Sequence, residues 1–329
     1  MVKEFSKGEV LVRSEADTDP EFGIDPNKRS IKDLLEYGVV VINKQQGPTS
    51  HQIVDYVKNI LEISKAGHSG TLDPNVTGVL VVALSKATRT VEYLLKSGKE
   101  YVCLMRLHDD VDEKKIREAM SKFVGEIDQF PPKKSAVKRQ WRKREIYYLE
   151  VLEIDGRDVL FKVGCQAGTY VRKICTDLGL KLNVKAHMQE LVRTKVAYFS
   201  EEDWISLHDL KDAYIKWKEN GDESDLRKVI KPMEAIIEYM PKIWVFDSAV
   251  DSLCHGAFLS VPGLSKLSDN IERGDRVAVL SLKNELVGIG EAKMNSQNLL
   301  RQEKGVAVAD LKIFMQRGTY PKYKRDEES

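Results

Sequence analysis

The segment GHSGTLDPNVTG, residues 67–78, holds one carboxylate, Asp73, between glycines at 67, 70 and 78. Glycines let a backbone approach a ligand closely. A phosphate-binding loop is one chemistry for such a segment, although the GxxxxGK[ST] order is absent. Asp before Pro also caps turns. Asp73 therefore reads either as a turn cap or as a carboxylate held out to a ligand. A second segment, GTYVRKICTDLG, residues 168–179, offers Tyr170 and Arg172. Arg172 falls in the first turn of an expected helix, off its apolar stripe. It reads either as a solvated surface arginine or as the partner of a buried carboxylate. Such a pair lowers an Asp pKa by about 1–3 units and keeps it anionic, and the planar fork also suits phosphate. The third feature is basic. Lys133, Lys134, Lys138, Arg139, Arg142, Lys143 and Arg144 surround Trp141, with no acid between 133 and 144. A solvated strand is one reading. Nucleic acid is the better one, because phosphate neutralisation and a stacking surface coincide.

Other chemistries find less support. His51, His68, His108, His187, His208 and His255 lack HExxH or HxH spacing, so no metal site is expected. A Ser-His-Asp triad is open on spacing, but there is no GxSxG elbow. No GxGxxG opens a helix after a strand, which argues against a dinucleotide. Cys103, Cys165, Cys175 and Cys254 form no CxxC pair and read as four reduced, mostly buried thiols.

The elements that must position these residues follow from the patterning. With 329 residues and 42% hydrophobic content, about two domains with real cores are expected. A net charge of +1 against 31% charged residues means that any nucleic-acid site comes from local clustering. The first ten residues carry no apolar signal core, and the longest apolar run, Val79 to Leu84, is too short to span a bilayer. The chain reads as soluble and intracellular. Residues 1–34 look like a polar extension that wraps or tethers. GVVVIN, residues 38–43, reads as a strand. Thr49 and Gln52 fit a capping box opening a helix with Ile53, Val54, Val57, Ile60 and Leu61 at helical spacing. Asp155-Gly156-Arg157 marks a hairpin between two strands, and a helix is expected from about Gly168 to Leu180. Residues 201–240 look helical and acidic, broken near Asn220-Gly221 and at Pro232. From Lys242 onward, short β-type runs between Gly and Asp turns suggest a small barrel of about 75 residues.

The stretch GHSGTLDPNVTGVLVVALSKATR resembles, over a long and specific match, the signature of TruB-type pseudouridine synthases. NKQQGPTSHQ resembles that family's first motif. KEYVCLMRL resembles the segment with its base-stacking tyrosine, here Tyr101. GTYVRKICTDLG resembles the motif holding the active-site tyrosine and arginine, here Tyr170 and Arg172, and MQELVRT the motif whose leucine lines the pocket, here Leu191. HGAFLSVPGL and GDRVAVL resemble a PUA RNA-binding domain, with Gly256 and Ala257 as candidate RNA contacts. The whole pattern is similar to that of the dyskerin group, the catalytic subunits of H/ACA ribonucleoproteins, in its shorter archaeal form. Stand-alone bacterial relatives insert a long loop after the SAxK segment to grip tRNA. Here SAVKRQWRKREIYYLEV runs straight into the next strand, so help from a guide RNA and accessory proteins is expected.

The resemblance implies an α+β fold. A mixed, largely antiparallel sheet flanked by helices would be followed by a small C-terminal β-barrel. The expected divisions are an N-terminal extension over 1–34 packing on the C-terminal domain, a catalytic domain over 35–240, a PUA domain over 241–316 and a polar tail over 317–329. It also implies a cofactor-free and metal-free isomerisation of uridine in rRNA or tRNA, in the cytoplasm. A guide-independent tRNA enzyme and a non-catalytic RNA scaffold are the alternatives. Asp73 would be the catalytic carboxylate, Arg172 would orient it, and Tyr170 would relay a proton. His68, Tyr101 and Leu191 would receive the base, while Lys133, Lys134, Arg142, Lys143 and Arg144 would hold RNA.

Overall fold

The computed structural model describes residues 8–131, 138 and 140–322, so Lys133, Lys134 and Arg139 lie outside the described residues. The described residues divide into two compact units, one within 35–231 and one that joins 8–34 to 232–322.

The first unit is built on a long sheet. Its central strands are Gly38–Lys44, Thr77–Leu84, Ala186–Val196, Lys99–Leu107, Asp158–Cys165, Arg142–Asp155 and Gly125–Gln129, in that spatial order. Neighbours run antiparallel except Thr77–Leu84 against Ala186–Val196, which is parallel. GVVVINK and TGVLVVAL are almost wholly buried, as unbroken β-branched runs in a sheet covered on both faces must be. The expected hairpin forms, and Gly156 takes φ 55° in its turn. The helix Ser50–Leu61 opens with the full Thr49–Gln52 capping box.

A second helix, Val171–Lys181, begins three residues later than the pattern suggests, because Gly168 takes φ 80° and Tyr170 stays extended. Val171, Ile174, Cys175 and Leu178 turn into one buried cluster with Cys103, Phe161 and Val163 of the sheet. All four cysteines are free and buried. The acidic stretch forms two helices, Leu207–Asn220 and Ser224–Val229.

In the second unit, the strands after Lys242 are joined by two that the pattern alone does not reveal, Leu264–Ser268 and Val10–Val12. They make a seven-stranded sheet around a single apolar cluster. Val10–Val12 pairs antiparallel with Leu264–Ser268, so the start of the chain forms a sheet edge with a strand more than 250 residues away. Arg29 and Glu234 add a buried bidentate pair at 2.7 and 2.8 Å. Among the described residues, no helix is long and apolar enough to cross a membrane.

Candidate active site

The loop that follows Ala66–His68 is fixed largely by hydrogen bonds to its backbone. Ser50 Oγ accepts from the Leu72 amide at 2.8 Å, and the Leu72 carbonyl accepts from the same hydroxyl. Lys44 is fully buried, and its Nζ donates to the carbonyls of Asp73 at 3.2 Å, Pro74 at 3.1 Å and Val76 at 2.8 Å. Burial pushes the Lys44 pKa down, and the neighbouring Arg193 adds to the fall. The loop closes at Gly78, which has φ 109°. A Cβ there would stand 2.2 Å from the Arg193 carbonyl oxygen, so only glycine fits. With its backbone held on this side, Asp73 presents its carboxylate on the other.

That carboxylate accepts from Arg172 Nη2. The side chains are 56% and 46% exposed, so the carboxylate is not buried, contrary to the ion-pair reading of the sequence. Exposed pairs contribute little to stability, typically about 0–1 kcal/mol. The pair sets the direction and charge of the carboxylate more than it holds the fold. Helix geometry explains the meeting. Cys175 Sγ lies 3.6 Å from Cys103 Sγ in the core. One helical turn back toward the N-terminus of that helix is Arg172, and two residues back along the strand, on the same sheet face, is Tyr101.

Tyr170, at the helix N-cap, is bracketed by the buried Gln129. The Tyr170 amide donates to Gln129 Oε1 at 2.9 Å, and Gln129 Nε2 donates to the Tyr170 carbonyl at 3.2 Å. Across the sheet, Tyr101 stands opposite Arg193 and Cys103 opposite Leu191. Burial pushes the Tyr101 phenol up, and the Arg193 charge acts against it.

These residues line one cleft of about 500 Å³, in which Asp73, Tyr101, Tyr170, Arg172, Leu191 and Arg193 converge. Among the described residues, Asp73 is the single carboxylate of a lining that also carries Arg172, Arg193 and Lys99. A nucleotide-sized anionic ligand fits this volume and this charge. Among the described residues, no group of three or more His, Cys, Asp or Glu could hold a metal ion.

The remaining described candidates are not in the lining, although Arg144 reaches its edge. His68 is not part of the lining; it ends a short strand, its Nδ1 accepts from the Gly70 amide at 3.2 Å, and its ring meets His51 edge-on at 4.9 Å. Burial first, then the His51 and Arg193 charges, depress its pKa to about 4, so the imidazole is neutral at pH 7. Arg142, Lys143 and Arg144 sit on a strand paired with Gly125–Gln129, whose acids a one-dimensional charge run does not reveal. Lys143 is paired with Glu126 at 2.6 Å. Arg144 packs over Gly168 at the cleft, where a Cβ would meet its guanidinium at 3.2 Å. Trp141 is 68% exposed and tilts against Phe130 at 5.5 Å. Gly256 and Ala257 are exposed in the other unit, just after the helix Asp247–Cys254. Two residues of the site carry no separate signal in the sequence. Lys44 is a lysine at a strand end, and Arg193 follows the leucine of its motif by two residues, which is the alternation that puts it on the same face.

Comparison with known proteins places this geometry. Residues 58–171 match the profile of the TruB family pseudouridylate synthase N-terminal domain, and 172–238 that of the tRNA pseudouridylate synthase B C-terminal domain. Residues 241–313 match a PUA domain and 4–54 a DKCLD (NUC011) domain. The probable tRNA pseudouridine synthase B of Pyrococcus furiosus is 54% identical over 324 residues, 97% of this chain and 95% of the relative. That of Methanocaldococcus jannaschii is 52% identical over 316 residues, 96% and 94% of the two. A chain in the crystal structure of a Cbf5-Nop10-Gar1 complex superposes with a TM-score of 0.92 at 54% identity, over 98% of this chain and 99% of that one. One in the structure of an H/ACA RNP bound to a substrate RNA containing 2'-deoxyuridine does so with a TM-score of 0.91 at 52% identity, over 98% and 99%. With that identity sustained over almost its whole length, the chain belongs to the TruB family of RNA pseudouridine synthases, which are isomerases.

Proposed function

We propose that this chain converts uridine to pseudouridine in ribosomal or transfer RNA, directed by an H/ACA guide RNA and assisted by small accessory proteins, in the cytoplasm of an archaeal cell. The observation that carries the catalytic part is the single carboxylate of the cleft among the described residues, Asp73, paired with Arg172 and flanked by Tyr101 and Tyr170. Guide dependence is supported by the likeness to chains solved in Cbf5-Nop10-Gar1 and H/ACA RNP structures.

In this reading the target uridine leaves its stack, at a cost of a few kcal/mol. Stacking on Tyr101 returns about 1–3 kcal/mol. Asp73, oriented by Arg172, acts on the nucleotide as nucleophile or base. The bond from N1 to the ribose breaks, the uracil turns within the cleft, and C5 takes the place of N1. C5 loses its proton, which Tyr170 relays, and N1 gains one, so the change is an isomerisation and needs no cofactor. Leu191 packs against the base. His68, neutral and behind the loop, braces the loop through Gly70. Arg142 and Arg144 neutralise RNA phosphates, with Lys143, partnered by Glu126, adding little, and Gly256 and Ala257 contact RNA in the second unit.

The test is reconstitution of the full chain with a guide RNA, a matched target and accessory proteins, comparing wild type with Asp73→Asn. Pseudouridine from the wild type alone supports the reading; equal product from both overturns it. The names of the sequence relatives favour a second substrate, tRNA without a guide. Robust turnover of unmodified tRNA by the purified chain alone would replace guide dependence with that activity.

A further inference from the structure

We propose that Arg193 is the positioning residue of this site: its guanidinium ties both ends of the Asp73 loop to the strand Ala186–Val196, at the position that pairs with Tyr101 on the next strand. The inference rests on the proposed role of Asp73 and Tyr101 and adds what holds them at a working separation.

Arg193 is 1% exposed, yet it belongs to the cleft lining. Its Nε donates to the Val79 carbonyl at 2.8 Å, and its Nη2 donates to the Gly70 carbonyl at 3.1 Å. Those carbonyls lie three residues before and six residues after Asp73, so one planar fork grips the entry and the exit of the loop. Its backbone meets the same loop, since Thr77 pairs with Val192 and Gly78 with Arg193. Its cross-strand neighbour is Tyr101, and the two side chains interact electrostatically. Among the described residues, no carboxylate pairs with it. Burying a guanidinium without a counter-ion is unfavourable. An apolar side chain would fill the position without that penalty, so the charge calls for a reason beyond packing. Lys44 secures the middle of the loop from the opposite strand, through the carbonyls of Asp73, Pro74 and Val76, and donates also to the adjacent Gln45 carbonyl. Arg193 is the side chain that bonds to the loop and also faces Tyr101.

A positioning role predicts a loss in the chemical step and not in RNA capture. The test uses full-length chain reconstituted with guide RNA, matched target and accessory proteins, under single-turnover conditions, with Arg193→Lys and Arg193→Gln. Lysine keeps the charge but not the fork, and glutamine keeps one donor but not the charge. The expected result is a fall of about 100-fold in rate per folded molecule for Arg193→Gln, as for a misplacement on the ångström scale. Arg193→Lys should recover part of it, and target affinity should stay within about threefold. Circular dichroism gives the folded fraction; if the glutamine variant does not fold, the lysine variant decides by the same criterion. Folded variants with the wild-type rate, or with affinity lost in step with rate, overturn the proposal. Failure of the wild type to make pseudouridine would instead overturn the function on which it rests.

Discussion

Asp73 and Arg172, 99 residues apart in the chain, form an ion pair in the lining of the cleft. Both side chains are about half exposed, so the pair is a poor stabiliser and a good aiming device. Arg172→Ala should therefore leave the melting temperature within a few degrees and lower single-turnover pseudouridine formation by about 100-fold. Asp73→Asn should abolish the product while target binding persists. Parallel thermal melts and single-turnover assays separate the two effects.

His68 predicts an acid limit on stability. Its pKa falls from the usual 6.5 to about 4 in the folded chain, mainly through burial. Between those values the unfolded chain binds the extra proton, so stability rises with pH there. The contribution is complete above pH 6.5, declines as pH drops, and is gone below about pH 4. Its ceiling is roughly 3 kcal/mol. Urea unfolding of wild type and His68→Gln at pH 7.5 and pH 4.5 should show the wild type losing more stability than the variant between the two.

The Arg29–Glu234 pair has side chains only 9% and 11% exposed. Glu234 Oε1 also accepts from the Leu286 amide at 3.0 Å. Glu234→Ala removes both charge-assisted hydrogen bonds of this buried pair and the acceptor of the Leu286 amide, and should cost about 3–5 kcal/mol. Denaturant melts of the full chain measure it; a loss below 1 kcal/mol would mean that water replaces the carboxylate.

On the basic strand, Lys143 already has a partner in Glu126, whereas Arg144 reaches the cleft at Gly168. Replacing Arg142, Lys143 and Arg144 with Ala should weaken RNA binding and flatten its salt slope. The change should approach two phosphate contacts, not three, at roughly 0.7–0.9 per contact. Affinity titrations at several salt concentrations test this, and an unchanged slope would assign the strand to solvent or protein.

Much of this architecture was legible from residue order. The Thr49–Gln52 box, the buried runs from Gly38 and Thr77 and the turn at Gly156 are local signals, and the structure carries all of them. Asp73, Tyr101, Tyr170, Arg172 and Leu191 stand out through motifs, and they share one cleft. What escaped is non-local. Leu264–Ser268 and Val10–Val12 are short strands defined by their partners, with no periodicity to announce them. The exposure of Asp73 is a tertiary property, and the acids beside Arg142–Arg144 lie on another strand. Lys44 and Arg193 look like surface cations until the loop carbonyls that receive them are in place.

The pairing of Val10–Val12 with Leu264–Ser268 also bears on how the chain matures. During synthesis at about 5–20 residues per second, residues 35–231 emerge as a complete unit, while the early strand waits for a partner more than 250 residues away. The residues that line the cleft are therefore all synthesised before the second sheet has the partner of its edge strand. A nascent chain released early would carry Val10–Val12 without its partner, an unpaired strand of the kind that invites association with other chains.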